Sequence, residues 1–178
     1  MAGKTALLVI GTLASAFRDD SFVTCAGKPV LPDVRRLLDC ARSASAFGVH
    51  VVEDFHQTKY PPGSPVWSAY QIHPDVAPRG DELVVRQQCY DAFLGNGLHE
   101  RLTSEGVKPV VVAGIASPWC VDTAVRRAFG FGYRVVLAAD AHGCGDGKAL
   151  SGPVIAQHHN EILGACFAKV SPVEEIAF

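Results

Sequence analysis

The chain has 178 residues, 48% of them hydrophobic, and a formal net charge of −2 at neutral pH, enough apolar material for one domain, 1–178, with a substantial core. No Lys/Arg cluster marks a nucleic-acid surface and no apolar run approaches the length of a membrane span, so neither nucleic acid nor membrane is an expected partner. The six cysteines, Cys25, Cys40, Cys89, Cys120, Cys144 and Cys166, form no C-x-x-C pair and read as reduced thiols.

Residues 5–10 are apolar throughout and too short to cross a membrane, so they form a first strand ending at Gly11. No convincing cleavage region follows, and the expected location is the cytoplasm. A loop covers 12–28. Val34, Leu37, Leu38, Ala41 and Ala44 recur at helical spacing within 32–47, and Gly48 is placed to close that helix. Residues 49–53 form a second strand, and 60–78, with five prolines and one glycine, an irregular loop. A third strand covers 83–86, a short helical turn 90–94, and a helix 98–105 closed by Gly106. Residues 110–113 form a strand and 118–129 a helix, with Ser117 as its cap and Pro118 in its first position. A strand over 133–138, a Gly-rich loop over 140–152, a helix over 153–163, a strand over 167–170 and a terminal helical turn complete the chain. Alternating strands and helices predict an α/β fold: a Rossmann-like, three-layer α/β/α domain with a six-stranded, mainly parallel sheet. Ligands of such sheets bind beyond the carboxyl ends of the strands. Gly11, Asp54, Gln87, Ala116 and Cys120 fall there.

Cys120 follows a buried strand and a tight turn and lies in the first turn of a helix. Free backbone N–H groups and the positive end of the helix dipole converge at such a place and favour a thiolate, the reactive form of cysteine. The alternative is one more buried apolar cysteine, the commoner fate of that residue.

In order and spacing the chain resembles the isochorismatase-like cysteine hydrolases, a family that includes nicotinamidases, N-carbamoylsarcosine amidases and isochorismatases. Ala6-Leu7-Leu8-Val9-Ile10 is similar to its opening strand. Leu83-Val84-Val85-Arg86 with Tyr90-Asp91-Ala92-Phe93 is similar to its YSAF segment, and Val112-Ala113-Gly114-Ile115-Ala116-Ser117 with Cys120-Val121 to its nucleophile turn. The resemblance implies that a Cys attacks a carbonyl while an Asp ending the first strand takes the thiol proton and a Lys ending the third supports the charge. It also implies a cis peptide, here Ile115–Ala116, with the N–H groups of Ala116 and Cys120 as oxyanion donors. Only the Cys is retained: the Asp position reads as Gly11 and the Lys position as Gln87.

A free thiol with a pKa of about 8.5 is only a few per cent ionised at neutral pH, and a positioned base contributes about 10²–10⁴-fold. Substitute bases are therefore sought among Glu53, Asp54 and His56 at the end of the second strand, with Asp54 and His56 taken as catalytic partners of Cys120. Gly11 leaves space beside Cys120, and Gln87 can offer a hydrogen bond to substrate. Ala116, Tyr90, Trp119 and Phe17 complete the expected substrate pocket. Asp54-x-His56, with His73 as a third group, is similar to the start of a nicotinamidase metal motif, but a solvated loop is the preferred reading. No metal or other cofactor is expected. His50, His99 and His142 read as surface or loop residues.

Two functions are compatible with these residues. One is a divergent hydrolase that acts through Cys120 on a small amide, imide or related carbonyl compound, with a homodimer or homotetramer implied by the family. The other is a catalytically impaired descendant that serves as a binding or assembly protein.

Overall fold

The computed structural model describes residues 3–17, 24–25, 28–54, 62–64 and 67–178. In chain order the strands are β1 (Lys4–Ile10), β2 (Thr24–Cys25), β3 (Lys28–Pro29), β4 (Phe47–Glu53), β5 (Leu83–Gln87), β6 (Val107–Ile115), β7 (Arg134–Gly143) and β8 (Lys169–Ser171). The α-helices are α1 (Leu31–Ser43), α2 (Leu98–Ser104), α3 (Asp122–Gly130) and α4 (Gly152–Cys166). Six strands make one sheet in the order β5-β4-β1-β6-β7-β8, every adjacent pair parallel. β2 and β3 form a small antiparallel pair.

The continuous apolar run of β1 has a direct cause: both faces of the strand are covered. Ala6, Leu8 and Ile10 pack in one core with Leu98 and Leu102 of α2 and Ala124 and Val125 of α3. Leu7 and Val9 point the other way, into a second core with Val34, Leu37 and Leu38 of α1. α4 sends Leu163 into the first core and Ala156 into the second. Among the described residues no helix is long and apolar enough to cross a membrane. All six cysteines carry free thiols.

Several boundaries differ from expectation. α1 stops at Ser43, and the chain reverses through Ser45 at φ 55° rather than through Gly48. Gly48 lies inside β4, where a Cβ would sit 2.9 Å from Glu82 Cγ. Residues 90–94 are not helical, because the Asp91 side chain captures the Phe93 N–H at 2.9 Å and bends the chain into an Asx-type turn. β7 runs on to Gly143 and takes the start of the expected glycine-rich loop into the sheet, pairing His142 with Gly114 of β6. The loop after β1 holds a 3₁₀ turn, Ala14–Phe17. His50 and His142 are not surface residues: they sit in β4 and β7 at 1% and 0% exposure.

Candidate active site

From β1 the chain moves outward through β4 and β5, then returns to the other side of β1 for β6, β7 and β8. The connections diverge between β1 and β6, and open parallel sheets place their ligand crevice there. A cavity of about 470 Å³ lies at that point, within the usual range for a small-molecule site. Gly11, Leu13, Ser15 and Ala16 form one side of its lining and Cys144, Gly145, Asp146, Gly147 and Ile155 another; Glu53, Ile115, Ala116, Pro118 and Trp119 complete it. Gly11 borders the cavity, but a side chain on it has no room. Its φ is +63°, and a Cβ there would stand 2.5 Å from the Ile115 carbonyl oxygen.

β6 ends in a cis peptide between Ile115 and Ala116. Beyond it, Ser117–Val121 winds as a π-turn in which the Ala116 carbonyl accepts the N–H of Val121 at 3.2 Å and that of Trp119 at 3.1 Å. Only from Asp122 is the helix α-helical. Ser117 does not cap it; Ala116 holds the cap position, and Ser117 Oγ lies 2.8 Å from His142 Nδ1.

This turn carries Cys120 inward, to 1% exposure against the first core. Gln87 Nε2 donates to its sulfur at 3.1 Å, and its S–H points to Glu53 Oε1 at 3.8 Å. Burial first, then the charge of Glu53, push the thiol up to about 12, against the opposing pull of the Gln87 N–H and the residue's own N–H. The thiolate expected from the helix terminus is therefore not favoured. A rise from 9.0 to about 12 is worth roughly 4 kcal/mol, and a helix dipole offers typically about 0.3–1 kcal/mol.

The expected site residues divide accordingly. Glu53, not Asp54, turns toward the thiol and lines the cavity. Successive strand residues face opposite ways, and the Asp54 carboxylate lies 3.5 Å from Arg86 Nη1. His56 falls outside the described residues. Gln87 is fully buried with its amide nitrogen on the sulfur, so it serves the thiol rather than the cavity. Ala116 and Trp119 line the cavity as expected; Tyr90 is not among the described residues of the lining, and its ring lies beside that of Trp119, with centroids 5.8 Å apart. Phe17 is not on the wall, because the 3₁₀ turn sends Ser15 and Ala16 to the cavity and Phe17 against the His73 ring at 5.9 Å. His73 Nδ1 accepts the Asp75 N–H, capping a short 3₁₀ turn.

Three features escaped the sequence. Cys144 and Asp146, just beyond β7, line the cavity; the signal was available in their position after the carboxyl end of a parallel strand. The third is a hydrogen-bonded chain from the buried Ser117 and His142 to the half-buried Asn160, with His142 Nε2 2.9 Å from Asn160 Oδ1. No local spacing announces it, since its members lie on three different elements.

Residues 5–174 match the isochorismatase domain. A streptothricin hydrolase of Streptomyces noursei is 33% identical over 160 residues, which are 85% of this chain and 62% of that protein. The uncharacterised isochorismatase family protein YddQ of Bacillus subtilis strain 168 is 30% identical over 140 residues, 77% of this chain and 76% of its own. Among solved structures, an isochorismatase from Pseudomonas putida KT2440 superposes with a TM-score of 0.84 at 27% identity, covering 99% of this chain and 93% of that one. The chain spans 62%, 49% and 58% of the length of three curated relatives it matches.

Proposed function

Because the chain belongs to the isochorismatase family, we propose that it is a cysteine hydrolase cleaving a C–N bond of a small amide, imide or related carbonyl compound, with Cys120 as nucleophile and Glu53 as proton acceptor. The observation that carries this reading is the sulfur held between the Gln87 amide and the Glu53 carboxylate, where Glu53 also lines the cavity. Similarity to a relative named for hydrolysis supports it.

Since burial keeps the thiol protonated, proton transfer accompanies attack rather than preceding it. The Cys120 S–H passes its proton to Glu53 as the S–C bond forms. The oxyanion is taken by the N–H groups of Ala116 and Cys120. Glu53 then returns the proton to the departing nitrogen as the C–N bond breaks, leaving a thioester. Water attacks the thioester, Glu53 takes its proton, and the thiol is restored as the acid leaves. Gln87, neutral where the family resemblance places a lysine, holds the sulfur by a hydrogen bond and adds no charge. These steps require no cofactor. On the same reading the partners are the small-molecule substrate and further copies of the chain, in a homodimer or homotetramer, and the location is the cytoplasm.

The 1% exposure of Cys120 and its raised pKa favour a second reading, a catalytically impaired descendant that binds a ligand in the cavity without turning it over. One experiment separates the two: ammonia or amine release from a panel of small amides by the wild type, Cys120→Ala and Glu53→Gln. The hydrolase reading expects turnover by the wild type, none by Cys120→Ala, and kcat lowered about 10²–10⁴-fold in Glu53→Gln. Undiminished turnover in Cys120→Ala would end it, and ligand binding with no wild-type turnover establishes the second reading.

A further inference from the structure

The cavity carries a second carboxylate besides Glu53. Asp146 lines it from the exposed loop between β7 and α4. Its Oδ1 accepts the N–H of Gly152, the first residue of α4, at 2.7 Å, and that bond fixes where the carboxylate stands. Trp119 lines the same cavity with 57% of its surface exposed. Leu13, Ile115, Pro118 and Ile155 make the walls apolar, and no Lys, Arg or His is among the described residues that line them. The nearest cation along the loop, Lys148, is exposed and does not line the cavity. Arg126 and Arg127 of α3 are taken up by Asp122 at 2.8 Å and Asp91 at 3.1 Å.

A pinned carboxylate and an exposed indole on one apolar cavity suit an organic cation. The ammonium gives a charge-assisted hydrogen bond to the carboxylate, while the indole face attracts the charge and covers the adjoining methylenes. An anionic ligand meets two like charges, Asp146 and Glu53, and no cationic side chain among the described residues of the lining. The geometry points to a substrate whose amide is joined to a protonated amine, with Asp146 and Trp119 as the residues that select for it. The amide half of that statement rests on the hydrolase reading; the cation half does not.

The test is calorimetric titration of the full chain carrying Cys120→Ala with three probes of similar size: 4-aminobutanamide, pentanamide and succinamate. The ammonium amide is expected to bind at least tenfold more tightly than the neutral one, and the carboxylate more weakly than both. Asp146→Asn keeps an oxygen for the Gly152 N–H but removes the charge, and it is expected to erase most of the ammonium preference. Asp146→Glu is expected to restore part of it, and added salt to narrow it. Equal binding of all three, tighter binding of succinamate, no measurable binding of any, or an unchanged preference in Asp146→Asn would overturn the inference. Ammonia release from the same probes by the wild type is read separately. Preference without turnover removes the hydrolase reading and leaves the selectivity, whereas turnover without preference removes the selectivity alone.

Discussion

The Cys120 sulfur receives a hydrogen bond from Gln87 and faces a carboxylate, so its two neighbours act on its acidity in opposite directions. Its alkylation by iodoacetamide, followed by peptide mass spectrometry, is expected to be slow at neutral pH and to rise about tenfold per pH unit without levelling off below about pH 10. Glu53→Gln removes the charge that opposes the thiolate, so its labelling curve is expected to move to lower pH even as turnover falls. A plateau near pH 7 in the wild type would contradict the geometry of the sulfur. Glu53 and Asp54 also show what one residue of register decides. Glu53 ends β4 and Asp54 follows it directly; both are acids, and only Glu53 meets the thiol.

At the scale of elements, the Ser117–His142–Asn160 chain ties the nucleophile turn to β7 and α4. Asn160 Nδ2 donates to the Ala139 carbonyl at 3.0 Å, which turns Oδ1 toward His142. His142 Nε2 therefore carries the hydrogen, and bare Nδ1 accepts the Ser117 hydroxyl. Burial lowers the His142 pKa from 6.5 to about 4, so the folded chain resists a proton that the unfolded chain takes up. Stability is then complete above pH 6.5 and lost as pH falls toward 4, by about 3 kcal/mol. Glu82 adds a second window. Burial opposes its charge, but Arg42 in α1, the Arg79 N–H and His50 in β4 outweigh it and hold the carboxyl at about 2. Its contribution is present above pH 4.5 and lost as pH falls toward 2. Urea midpoints across this range are expected to drop in two stages, and His142→Gln to remove much of the upper one. A midpoint flat from pH 7 to 4 would show that His142 is not held neutral by the fold.

For the whole molecule, the constraint on Gly11 comes from sheet topology. β1 and β6 are neighbours although their sequences lie far apart, and their ends bring Gly11 against the Ile115 carbonyl. Gly11→Asp, which places at this position the acid that the sequence resemblance implies there, is therefore expected to lower stability by about 1–3 kcal/mol through strain at positive φ. It is not expected to raise kcat; a thermal melt and an amidase assay check both, and a stable, more active variant would refute the steric account. The architecture is legible in the sequence. The apolar runs of 5–10 and 110–113 mark strands buried on both faces, the periodicity of Val34, Leu37 and Leu38 marks a helix, and the turn around Cys120 marks a candidate site. Local backbone preference and hydrophobic spacing determine such features. Only tertiary structure decided that Glu53 rather than Asp54 meets the thiol, that Cys120 is protonated, that His50 and His142 are buried, and that Asp146 and Trp119 share one cavity. Each of these depends on which way a side chain faces once distant strands are in register, and on how much water the packed layers exclude, quantities that belong to no single stretch of chain.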